Sequence, residues 1–234
     1  MSYFSFYYLS QYYYIILVLP MVIFSLVASA RVNSVFKKYS SVYSSRRLTG
    51  AQAAFEILRY YGITNVRIER VAGNLTDHYD PRTNVIRLSD KVHDSTSVAA
   101  IGVACHEAGH AAQYANGYIP IKIRNFVFPV ASLGSKAGIP LALIGFFINS
   151  ELLAVIGVVF FSFAVLFQLV TLPVEFNASS RALSVISATD ILSDEEKKGA
   201  SKVLRAAAMT YIAALAVSLA NLLRLILMIN RRRD

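Results

Sequence analysis

The sequence predicts a mainly α membrane protein: a helical bundle with about four transmembrane helices and a small α+β region on the cytoplasmic side. Three observations carry this. Of the 234 residues, 56% are apolar and 16% charged, whereas soluble domains hold about 45–50% and about 25%. The mean hydropathy is +0.50. The apolar residues also collect in four runs, each near the ~20 residues that cross a hydrocarbon core. The same figures exclude disorder and a highly charged soluble nucleic-acid binder. No nucleic acid is therefore implied, and the net charge of +9 reads as a topology signal. The single cysteine, Cys105, cannot make an internal disulfide or a thiolate metal cage.

Residues 1–30 contain no Lys, Arg, Asp or Glu. The apolar run Tyr12 to Ala30 is preceded and opened by Tyr3, Tyr7, Tyr8, Tyr12, Tyr13 and Tyr14, as expected of an interfacial aromatic belt. A signal peptide would want a positive leading segment, so residues 1–30 are assigned a retained anchor. Residues 31–125 differ sharply. Thirteen Lys and Arg face seven Asp and Glu between Arg31 and Arg124, a net of +6, which places the region in the cytoplasm.

Within it, Thr49 is suited to cap a helix from about Gly50 to Tyr61, with Gly62 as the stop. Asn65 to Val71 alternates apolar and polar residues and reads as a strand, as does Val85 to Leu88. Asp80-Pro81-Arg82-Thr83-Asn84 between them reads as a turn. A further helix is expected from Val98 to Ala115, capped by Ser95 or Ser97 and ended by Asn116-Gly117.

Residues 126–172 form a transmembrane hairpin of two runs, Phe126 to Ile148 and Leu152 to Leu172. Asn149-Ser150-Glu151 joins them without a positive charge, as an external turn should. Gly134 and Gly138 match the GxxxG spacing of close helix packing. Residues 173–205 return as a cytoplasmic helix. Residues 206–234 are read as a final transmembrane helix and basic tail, although Arg224 lies within the run and Arg231 to Arg233 stand against the positive-inside rule.

The sharpest chemical signal is His106-Glu107-Ala108-Gly109-His110. On a helix, residues four apart stack on one face, so both imidazoles can reach one Zn²⁺ at about 2.0–2.1 Å. Glu107 follows round the helix, placed to take a proton from zinc-bound water without ligating the metal. A catalytic zinc needs a third protein ligand and one open position. Glu175 stands two residues after the hairpin returns to the cytoplasm, and opens a helical segment with Ala178 and Ala182 on its face. Small residues there, with Gly109 opposite, allow the two helices to approach closely. Ser179, one turn on, is suited to bond the outer nitrogen of His106 or His110. His78, at the expected turn, is a candidate for oxyanion or substrate contact.

The chain resembles the YugP-type membrane zinc metallopeptidases, which are similar in design to the HtpX-like and CAAX-prenyl gluzincin proteases. Leu75-Thr76-Asp77-His78-Tyr79-Asp80-Pro81, the HEAGH stretch and Leu172-Pro173-Val174-Glu175-Phe176-Asn177-Ala178-Ser179 carry the resemblance. It implies a zincin-like cytoplasmic region, His106, His110 and Glu175 as zinc ligands, and Glu107 as general base. The HtpX-like pattern has an acidic residue four after the ligand glutamate, where this chain has Ser179.

The leading expectation is a zinc metalloendopeptidase of the cell membrane, its active site facing the cytoplasm. Its partners would be membrane lipid and a protein or peptide substrate associated with the membrane. A site-2-type intramembrane protease is the alternative enzyme, but it wants an aspartate ligand in a later span, and neither apolar run of the hairpin nor the run Ala206 to Ile229 contains one. A non-catalytic zinc-stabilised scaffold is the third reading.

Overall fold

The computed structural model describes residues 11–233, with side chains to residue 230. Tyr3, Tyr7 and Tyr8 of the expected aromatic belt, and the Arg231 to Arg233 side chains, lie outside the described residues. Four long helices dominate: α1 (Gln11–Ser40), α5 (Ile119–Phe147), α6 (Glu151–Ala188) and α7 (Asp194–Arg233). Between the first two come α2 (Gly50–Tyr60), β1 (Arg67–Val71), β2 (His78–Asp80), β3 (Val85–Ser89), α3 (Asp90–His93) and α4 (Val98–Ala115). The long helices are apolar and long enough to cross a membrane.

One compact unit is drawn from Met1–Ala28, Lys122–Leu172 and Thr210–Asp234, so far as these are described. Ala142, Phe146, Ala154, Phe161, Leu225 and Met228 form its buried cluster. A Cβ at Gly134 would overlap the Phe160 carbonyl, and one at Gly138 would meet the Phe161 backbone. The α5 and α6 backbones therefore touch, as small residues permit in membrane helices. Leu26, Phe126, Leu133, Leu152 and Leu169 point outward and exposed. The helices that carry them are apolar and long enough to cross a membrane, and a lipid environment accounts for this exposure. The chain is a membrane protein.

The second unit is drawn from Ser29–Ile121 and Pro173–Met209. Thr49 opens α2 with a capping box: its hydroxyl accepts the Gln52 N–H at 3.2 Å, and Gln52 Oε1 accepts the Thr49 N–H at 2.9 Å. Gly62, at φ +67°, turns the chain out of the helix. Ala53, Ala54, Ile57 and Leu58 bury against Ile101, Ala104 and Cys105 of α4. The sheet has the order β1-β3-β2, with β1 parallel and β2 antiparallel to β3. Central β3 carries the buried Val85, Ile86 and Leu88.

Three local expectations change. Strand β1 begins at Arg67, leaving Asn65 and Val66 outside it. His78 and Asp80 belong to a strand, β2, and not to the turn; three residues are too few for alternation to register. The turn follows it, with Asp80 accepting from the Arg82 N–H and the Thr83 hydroxyl. Lastly, Pro173 does not start a new helix but lies inside the 38-residue α6. A proline forfeits one helix hydrogen bond, and burial of the apolar Val174 and Ala178 in the next turn offsets that loss.

Candidate metal centre

Helix α4 starts at Ser97, whose hydroxyl accepts the Ala100 N–H at 3.2 Å. The helical spacing sets the His106 and His110 rings side by side, edge-on, with centroids 4.7 Å apart. Glu175, from α6, faces both. Its Oε2 lies 3.3 Å from His106 Nε2 and 3.6 Å from His110 Nε2. A tetrahedral ion with bonds of about 2.0–2.1 Å separates its ligand atoms by about 3.3–3.4 Å. The two separations from Glu175 stand close to that spacing, and all three donors lie within 4.8 Å of one another.

That spacing depends on a close helix approach. A Cβ at Gly109 would lie 2.5 Å from the Ala178 carbonyl oxygen, so only glycine lets α4 meet α6 there. The outer ring nitrogens are both engaged. His106 Nδ1 lies 3.0 Å from Ser179 Oγ, and His110 Nδ1 lies 2.9 Å from Gln113 Oε1. Gln113 is fully buried. Its amide donates to the Val174 carbonyl at 2.7 Å and to Asn177 Oδ1 at 3.0 Å, which ties α4 to the turn that presents Glu175. Burial pushes the His110 imidazolium down, but hydrogen bonding to Glu175 and the nearby Glu107 and Glu175 carboxylates more than reverse this, leaving it above its ordinary value.

Glu107 is buried beside this set and accepts the backbone N–H of Tyr79 at 2.9 Å. Strand β2 is thereby held to α4, and the Tyr79 ring packs edge-on against Tyr114 of the same helix at 5.5 Å. Asp77 fixes the start of β2 by accepting the Ser89 N–H at 2.7 Å and the Ser89 hydroxyl at 3.1 Å. Burial pushes the Asp77 carboxyl up, against those hydrogen bonds. At the other end, Thr83, the Arg82 N–H and Arg87 pull Asp80 down to about 2.

The sequence pattern of a family described as "Putative neutral zinc metallopeptidase" matches residues 14–230. The chain belongs to that family. It is also similar to the "Putative membrane protease YugP" of Bacillus subtilis (strain 168), with 46% identity over 207 residues, covering 88% of this chain and 92% of that one. No solved structure matches the chain.

Zinc suits the donors of this family member. Two imidazoles and a carboxylate are a frequent zinc set, the separations fit, and both imidazoles turn Nε2 inward because Nδ1 is held from outside. The structure brings His106, Glu107, His110, Glu175 and Ser179 to one place. It does not bring His78 there. His78 is exposed with Nδ1 2.8 Å from the Thr76 carbonyl, and strand alternation turns its side chain to the face opposite Tyr79. Gln113 is the site residue that the sequence reading missed. Its spacing, three residues after His110 on the same helix, was the available signal. Cys105, next to His106, is a packing residue, fully buried, with its thiol pushed up by that burial.

Proposed function

We propose that this protein is a zinc-dependent gluzincin-type endopeptidase, embedded in the membrane. It hydrolyses peptide bonds of membrane-associated or unfolded proteins at a cytoplasm-facing site. The observation that carries this reading is the buried Glu107 carboxylate, which adjoins the His106, His110 and Glu175 set without belonging to it. A structural zinc normally fills four positions with protein ligands; three donors plus a separate carboxylate are what hydrolysis uses.

When bound, zinc supplies a Lewis acid that makes water a nucleophile near neutral pH and polarises a carbonyl. Glu107 takes the proton of the attacking water and delivers it to the departing amine. The Tyr79 N–H holds that carboxylate in place. Ser179 and Gln113 hold the two imidazoles in the ligating orientation. The peptide nature of the substrate is supported by β2, an edge strand beside Glu107, where an extended chain can add as a further strand. The cytoplasmic orientation rests on the excess of thirteen basic over seven acidic residues between Arg31 and Arg124.

The test compares purified wild type with Glu107→Gln on an unfolded membrane-protein substrate. The variant is expected to keep its zinc and lose roughly 10²–10⁴-fold in rate, and a chelator to silence the wild type. Equal, chelator-insensitive cleavage by both proteins would overturn the assignment.

A further inference from the structure

A cavity of about 550 Å³ lies in the unit that holds the metal centre. Its polar wall is formed by four cations, Arg31 and Lys38 of α1 and Lys202 and Arg205 of α7. No carboxylate lines it, and among the described residues none of the four is in an ion pair. Apart from Tyr39 the rest of its wall is apolar, with Val35, Phe176 and Met209 contributing. Glu195 acts on Lys202 only from outside the cavity, so four cations gathered over an apolar floor describe an amphipathic anion.

The places of two cations in the chain identify the anion. Arg31 directly follows the apolar run that ends at Ala30, and Arg205 directly precedes the run that begins at Ala206. Both therefore stand where a spanning segment meets the headgroup layer, and basic pockets at that depth bind anionic headgroups. We infer that this cavity holds the phosphodiester headgroup of one anionic glycerophospholipid, with the four cations around the phosphate and the first acyl carbons against Val35, Phe176 and Met209. An acidic peptide tail would need less of the apolar floor, and free phosphate none of it. The site is independent of the zinc chemistry proposed above, although Phe176 sits next to Glu175 in the same helical turn.

The test uses the full-length protein in neutral detergent, titrated with phosphatidylglycerol, phosphatidylcholine or inorganic phosphate. Thermal unfolding and lipid retention in native mass spectrometry are the readouts. Phosphatidylglycerol is expected to raise the unfolding midpoint saturably and to be retained at one per chain, with the other two inactive. The pair Arg31→Gln with Arg205→Gln should weaken the apparent affinity by about 25-fold, at about fivefold per removed charge. The pair Arg31→Lys with Arg205→Lys should retain most of it, and decides the matter if the glutamine pair does not fold. The control pair Arg82→Gln with Lys91→Gln removes the same charge from exposed positions outside the cavity and should change nothing. Equal weakening by the control would mean diffuse attraction, and equal responses to phosphatidylglycerol and phosphatidylcholine, or to phosphate, would equally overturn the inference.

Discussion

Gln113 Oε1 lies 2.9 Å from His110 Nδ1, while the amide nitrogen of the same side chain donates to the Val174 carbonyl one residue before Glu175. One buried carboxamide therefore orients a metal-binding imidazole and registers the helix that brings the third donor. Gln113→Leu is expected to weaken zinc binding by about 10–100-fold and to cost about 1–3 kcal/mol of stability through the lost buried hydrogen bonds to Val174 and Asn177. Gln113→Glu keeps the acceptor for His110 and should lose stability more than affinity. Chelator competition and thermal unfolding of the three proteins separate these effects; an unchanged zinc affinity in the leucine variant would remove Gln113 from the orienting role.

The Gly109 contact with Ala178 gives a second test. Helix propensity alone favours alanine over glycine by about 1 kcal/mol. The new Cβ, however, would stand 2.5 Å from a backbone oxygen that cannot swing aside, and overpacking of this kind costs about 1–3 kcal/mol. Gly109→Ala should therefore be less stable and bind less than one zinc per chain. Gly102→Ala, whose nearest contact is the Ala200 side chain at 3.3 Å, should be the milder change. Unfolding in chelator with zinc stoichiometry ranks the two, and a more stable Gly109→Ala would show that the α4–α6 contact relaxes.

Much of this arrangement was legible because it rests on short-range rules. The His106 and His110 pairing needs only helical periodicity, the Thr49 cap only its local chemistry, and the Gly109–Ala178 approach only small residues on facing helices. Glu175 could be chosen because the hairpin returns the chain before it. What was not legible depends on partners distant in the chain. Gln113 is uncharged and gains meaning only from Val174, some sixty residues on. Strand β2 exists through its pairing with β3 and through a backbone N–H given to Glu107, neither of which side-chain patterning records. The continuity of α6 through Pro173 is likewise decided by burial after the proline.

The turn after β2 carries a pH-dependent lock. Asp80 is held near 2 by Thr83, the Arg82 N–H and Arg87, against 3.8 for the free group. A carboxylate with a depressed native value stabilises the fold above its unfolded value and loses that contribution as pH falls through the native one. The lock is thus complete above about pH 4 and released on the way to about pH 2. Asp80→Asn should remove this acid-side dependence and speed amide exchange at Tyr79 at neutral pH. Hydrogen exchange across that range checks it, and identical profiles for the two proteins would rule the lock out.

Zinc uptake should release a proton from His110. The ring lies above its ordinary value because Glu175 and Glu107 outweigh the effect of burial, whereas an imidazole at about 6.5 would be only about one-quarter protonated at pH 7. The stabilisation that this raised value gives the metal-free fold is full below the unfolded value and is lost as pH rises through the native one. A metal ligand must be neutral, so zinc and the proton compete for the same ring, and zinc affinity should climb with pH over that window. Calorimetric titration of the metal-free protein in two buffers of different ionisation enthalpy measures the proton count. Release well above one-quarter of a proton at pH 7, beyond what the other ligands contribute in a Gln113→Leu comparison, is the expected result. No release at pH 7, with an affinity independent of pH from 6 to 8, would mean that the carboxylates do not hold the proton on His110.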